Sequence, residues 1–70
     1  MYIQSKDKRT VVNLEKYDVL YVVEGTSQLI AQKDGEKVLL GRFETDEEAM
    51  ESLESLLQSM LDEVTIYEVE

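Results

Sequence analysis

Thr45-Asp-Glu-Glu-Ala-Met-Glu-Ser-Leu-Glu-Ser-Leu-Leu-Gln-Ser-Met-Leu-Asp62 is the stretch whose reading decides the fold. It is the one long segment of the chain with helical spacing. At about 100° per residue, Ala49, Met50, Leu53, Leu56, Leu57, Met60 and Leu61 share an arc of roughly 140°, which predicts an amphipathic helix lying over a core. Thr45 is placed as the N-cap, and Glu48 three residues later makes a capping box. Asp46, Glu47 and Glu48 fall in the first turn, where the helix dipole favours negative charge. Beyond the apolar arc come Glu54, Glu47, Gln58, Glu51 and Asp62, and beyond these a flank of Ser52, Ser55 and Ser59.

Working outward, the chain before the helix reads as strands. Tyr2 to Ser5 and Thr10 to Leu14 are two short ones separated by the polar turn Lys6-Asp7-Lys8-Arg9. Val19 to Val23 is the most β-prone run and is expected to lie centrally in a sheet. Glu24-Gly25-Thr26-Ser27 is a turn into Gln28 to Lys33, with Gly25 available for a positive φ. Asp34-Gly35 is a hairpin signal, because a type I′ turn wants positive φ at both central residues. The return strand is Glu36 to Phe43, in which Gly41 predicts a bulge or a close approach of the helix backbone. After the helix, Val64 to Val69 alternates like a last strand, expected to join a sheet edge. Residues 1–70 are thus expected to form one α+β domain: a small, mainly antiparallel sheet of four to six strands, one amphipathic helix on a face, and a C-terminal strand.

Alternation along the strands puts apolar residues on both faces of the sheet: Val19, Tyr21 and Val23 oppose Leu20 and Val22, and Val38 and Leu40 oppose Leu39. One helix covers only one of these faces. The other must curl into a barrel or meet a second molecule, which makes a homodimer one expectation.

Composition narrows the function. With 70 residues, no Cys and no His, the chain has neither disulfides nor ordinary transition-metal ligands to reinforce a small core, which leaves association as the remaining support. The usual general base and thiol nucleophile are missing too. Carboxylate pairs on an exposed helix face lack the burial that acid–base work requires. No glycine-rich phosphate loop or calcium-loop spacing is present. No catalytic residue, cofactor or metal is therefore expected, and the protein is read as a non-enzyme. Neither a signal-peptide run nor a membrane-length apolar segment occurs, so the expected location is cytoplasmic, with no membrane partner.

The net charge of −9 is unevenly distributed. Residues 1–42 carry seven bases and six acids, whereas residues 43–70 carry ten acids and no base. A surface so charged repels phosphate, so no direct nucleic-acid binding is expected; it suits a basic protein surface. Lys6, Lys8 and Arg9 form the one basic cluster and read as solvated turn. On the helix, Glu47 with Glu51 and Glu51 with Glu54 are like-charge neighbours that cost roughly 0.2–0.5 kcal/mol each at low salt. Helix stability alone would mix the signs. Glu47, Glu51, Glu54 and Asp62 are accordingly the candidate partner-binding residues, with Ser52, Ser55 and Ser59 allowing close approach of a partner backbone. Solubility is the alternative role for the acids, the chain then being a structural or homo-oligomerisation module.

Ser5-Lys6-Asp7-Lys8, Val12-Asn13-Leu14, Leu40-Gly41-Arg42-Phe43-Glu44-Thr45 and Glu48-Ala49 together resemble a family of small uncharacterised proteins from Gram-positive bacteria and their phages and mobile elements. These motifs are structural, and the resemblance implies a genomic neighbourhood with no catalytic residues to carry over. The acidity after Thr45 exceeds the family pattern. What it implies here is a phage- or mobile-element-type protein that occludes a basic surface, such as the nucleic-acid site of a host defence nuclease, by nucleic-acid mimicry.

Overall fold

Six strands, one helix and a single 3-10 turn make up the chain in a computed structural model that describes residues 1–70. The order is β1 (Tyr2–Gln4), β2 (Val11–Asn13), the 3-10 turn (Leu14–Lys16), β3 (Val19–Val23), β4 (Gln28–Lys33), β5 (Glu36–Arg42), α1 (Asp46–Leu61) and β6 (Ile66–Glu68). The α+β class and the C-terminal strand are as the sequence predicts. The strands, however, divide between two three-stranded sheets, β2-β1-β6 and β3-β4-β5, instead of lining up in one, so that β4 takes the centre of its sheet and Val19–Val23, the most β-prone run, stands at an edge and not centrally. All pairings are antiparallel except that of β6 with β1.

The split has a local cause. The register of β4 against β5 slips between Leu29 and Ile30, placing a bulge at Leu40–Gly41. There β5 bends towards β1, and the Lys6 N–H donates to the Leu40 carbonyl at 2.7 Å. Gly41 faces the other sheet, where a Cβ would lie 3.1 Å from Val69 Cγ1 and 3.2 Å from Lys6 Cβ. The close approach at Gly41 therefore comes from the first and last segments of the chain and not from the helix.

The strand turns follow their residues. Asp34 and Gly35 take φ of 31° and 81°, as a two-residue hairpin with matched twist requires. Gly25, at φ 88°, shares its turn with Ser27, at φ 55°. Ser27 is buried, and its hydroxyl donates to Asp46 at 2.7 Å, so the β3–β4 turn is tied to the start of α1.

A single core joins the layers. Ile3, Val12 and Leu14 come from the first sheet and its 3-10 turn, Leu29, Ala31 and Leu40 from the second, Leu56 from α1, and Val69 from the tail. Helix α1 lies over β3 and β4, while the segment just after β1 reaches β5 through the Lys6–Leu40 hydrogen bond. The opposite face of β3-β4-β5 stays open, and Tyr21, Ile30 and Leu39 form a row across it. Ile30 is 9% exposed there, shielded by its neighbours, whereas Leu39 is 44% exposed. The second apolar face neither curls into a barrel nor is covered within the monomer.

The helix ends on a Schellman motif. The Val64 N–H donates to the Ser59 carbonyl and the Glu63 N–H to that of Met60, with Glu63 at φ 56°. A side chain in this left-handed position is strained, and glycine is not. Glu63→Gly is expected to stabilise the fold by about 1 kcal/mol, which raises the melting temperature by about 4–8 °C in a domain of this size. A thermal melt followed by circular dichroism checks it; an unchanged midpoint contradicts the motif.

Candidate functional site

Helix α1 carries the candidate site, and its rotation about its own axis decides what that site is. The Thr45 hydroxyl accepts from the Glu48 N–H at 3.1 Å, which caps the first turn. Asp46 turns away from the helix, accepting from the Ser27 hydroxyl and, at 2.9 Å, from the Gly25 N–H. These donors, the Ser27 hydroxyl foremost, hold the Asp46 carboxyl below its ordinary value. Its contribution to stability is present above that ordinary value and is lost as pH falls through the lowered one. The same logic applies to Asp7, lowered by the Ser5 hydroxyl and then by the Arg9 N–H.

Anchored this way, the helix buries a different arc from the one its apolar residues outline. Ala49 and Leu56 are fully buried, and Ser52, Leu53 and Ser59 are half-buried beside them. Met50, Leu57 and Met60 are 45%, 48% and 43% exposed, and Leu61 78%. The apolar arc is therefore only partly a core face: the buried side is turned towards the serines, and a ridge of Met50, Leu57 and Leu61 is left in solvent. Serine is small enough to let the helix approach its own body there. Ser52 and Ser55 line a shallow depression of about 300 Å³ with Lys6, Phe43, Glu48, Glu51, Tyr67 and Glu70.

The acidic residues fall where the spacing places them. Glu47, Glu51, Glu54 and Asp62 are all exposed. None pairs with a base: the one ion pair in the protein is Lys33 with Glu36, at 3.7 Å in the hairpin. Lys6 borders the depression but is otherwise engaged. Its ammonium donates to the Arg42 carbonyl at 3.1 Å and sits 4.0 Å over the Phe43 ring. The basic cluster is thus partly structural, with Lys6 joining the turn to β5. Asp62 accepts a long hydrogen bond of 3.3 Å from Gln58. No three side chains of the His, Cys, Asp or Glu type gather where they could hold a metal, and no helix is long and apolar enough to cross a membrane.

Beside the acidic face lies a feature that the spacing of the helix alone does not disclose. The C-terminal half of α1, the 3-10 turn and the start of β3 enclose an open groove of about 690 Å³. Leu53, Leu57 and Met60 form one wall, and Leu14, Tyr17 and Leu20 the other. Its ionisable lining groups are the carboxylates of Glu15, Asp18 and Glu63, the Tyr17 phenol and the Met1 amino group. The signal in the sequence is the apolar arc being wider than the helix needs for its core. The opposing wall comes from residues more than thirty positions earlier.

No family model matches the chain, and neither does any curated protein or solved structure, so its own residues carry the functional reading.

Proposed function

We propose that this protein is a non-enzymatic, acidic binding protein that covers a basic surface of another protein. The target class we favour is the nucleic-acid-binding face of a host enzyme such as a defence nuclease, consistent with a phage or mobile-element role. The observation that carries the reading is the exposed row of Glu47, Glu51 and Glu54 on α1, with no base paired to it. Carboxylates four residues apart rise about 6 Å along a helix, a spacing compatible with nucleic-acid charge density. Such a row is unfavourable to the isolated helix and is relieved by a cationic partner.

Replacing all three glutamates by lysine tests this. Capture of a salt-eluted basic protein from host lysate is expected to fall by about a hundredfold or more, since like charges set against each other cost several kcal/mol. The circular dichroism spectrum is expected to stay unchanged because all three sites are exposed. Retained capture by the triple variant sinks the proposal.

A second reading draws on the open row Tyr21, Ile30 and Leu39, namely a homo-oligomerisation module whose acids serve solubility. Sedimentation of the free protein separates the two. A monomer at micromolar concentration favours the acidic binding protein, and a dimer that Leu39→Lys dissociates favours the module.

A further inference from the structure

We infer that the groove between α1 and the 3-10 turn receives the apolar side of a basic amphipathic helix belonging to the partner, so that recognition combines apolar insertion with charge. This deepens the reading above and rests on it. Going round α1 from the groove, one meets Met60, Leu53 and Leu57, then the exposed Met50 and Leu61, then Glu54, Glu47 and Glu51. Glu54 therefore borders the ridge beside the groove, whereas Glu47 and Glu51 lie farther round the helix, Glu51 facing the depression it shares with Lys6 and Tyr67. On the far side of the groove stand Glu15 and Asp18, and at its end Glu63. An apolar channel is thus flanked by carboxylates on both sides.

Charge complementarity selects the occupant. A helix with an apolar stripe and cationic flanks sets its stripe into the channel and its lysines or arginines against both acidic banks, the helix-in-groove mode of recognition. An acidic or purely polar helix lacks one of the two contributions. The channel is a cleft rather than a closed cavity, since Val19, Leu57 and Met60 on its walls remain 43–49% exposed. A closed cavity suits a small molecule; an open one suits a secondary-structure element.

The test uses three synthetic peptide helices about five turns long, with leucine stripe and lysine flanks, leucine stripe and glutamate flanks, and serine stripe and lysine flanks. Each is titrated into the full chain and into the Leu57→Ser/Met60→Ser variant. The leucine–lysine peptide is expected to bind at least about tenfold more tightly than either control, and the variant to lose about tenfold for that peptide alone. Amide shifts on the unmodified protein are expected at Leu14, Leu20 and Leu53, a readout independent of how the variant folds. Equal binding of the two lysine peptides overturns the groove proposal while leaving the acidic surface intact. Equal binding of the two leucine peptides overturns the charge selection. Failure of the Glu47, Glu51 and Glu54 lysine variant to weaken either lysine peptide overturns the underlying acidic reading instead. Self-association that the Leu57→Ser/Met60→Ser variant abolishes assigns the groove to a second copy and overturns the proposal.

Discussion

Leu56→Ala is expected to destabilise the protein by about 2–5 kcal/mol, and Leu57→Ala, one residue on, by less than about 1 kcal/mol. Leu56 is fully buried against the residues of both sheets, so its truncation leaves a cavity that a core of this size cannot fill. Leu57 is 48% exposed on the groove wall and loses little on truncation. At roughly 0.05–0.15 kcal/mol per residue, a chain of 70 residues has about 4–10 kcal/mol in all. The first variant therefore loses about a fifth of the total or more, and the second a much smaller share. Urea denaturation of the pair, compared through their midpoints, reads the difference directly. Equal losses would mean that α1 buries the middle of its apolar arc and that the exposed ridge and groove do not exist.

Gly41→Val is expected to cost about 1–3 kcal/mol or more by overpacking. The first atom of any side chain there would meet Val69 Cγ1 at 3.1 Å, Phe43 Cε2 at 3.2 Å and Lys6 Cβ at 3.2 Å. Phe43 and Val69 have side chains that can shift. Lys6 Cβ moves only with its backbone, and that backbone is hydrogen-bonded to Leu40. Valine adds two further methyls to this contact between the sheets. Adding Val69→Ala should recover part of the loss, because the two changes share one space and are not additive. A double-mutant cycle by chemical denaturation measures the coupling. A neutral Gly41→Val would show that the sheets are farther apart than 3.2 Å contacts imply.

Much of the fold was legible in local chemistry. Asp34-Gly35 admits few alternatives to a two-residue hairpin, because only such residues readily accept the positive φ that the strand twist requires. Thr45 and the acids after it mark the start of α1 through orphan N–H groups and the dipole, both local effects. That Val19 to Val23 and the last segment form strands is equally local, whereas the edge position of Val19 to Val23 depends on which strands pair beside it. The exposed positions of Glu47, Glu51, Glu54 and Asp62 also followed from helical periodicity.

The partition into two sheets did not. The bulge that goes with it lies within the β4–β5 hairpin, but the partition also depends on Lys6 and the tail returning to Leu40 and Gly41, a relation between segments far apart in sequence. The rotation of α1 was hidden for the same reason. An apolar arc of seven residues was wider than the core required, and nothing in its period says which edge is covered. The tether from Asp46 to Ser27 and the closure of the first sheet settled that, taking Ser52 and Ser59 towards the interior and leaving Met50, Leu57 and Leu61 outside. The groove, whose walls come from residues 14–20 and 53–60, exists only once those segments are packed. By itself, the sequence determined the class, the strands, the helix ends and the charge of its surface, because periodicity, turn chemistry and capping act over a few residues. Only the tertiary structure decided which part of the helix works as core and which stays in solvent, because burial is a property of what the rest of the chain brings against it.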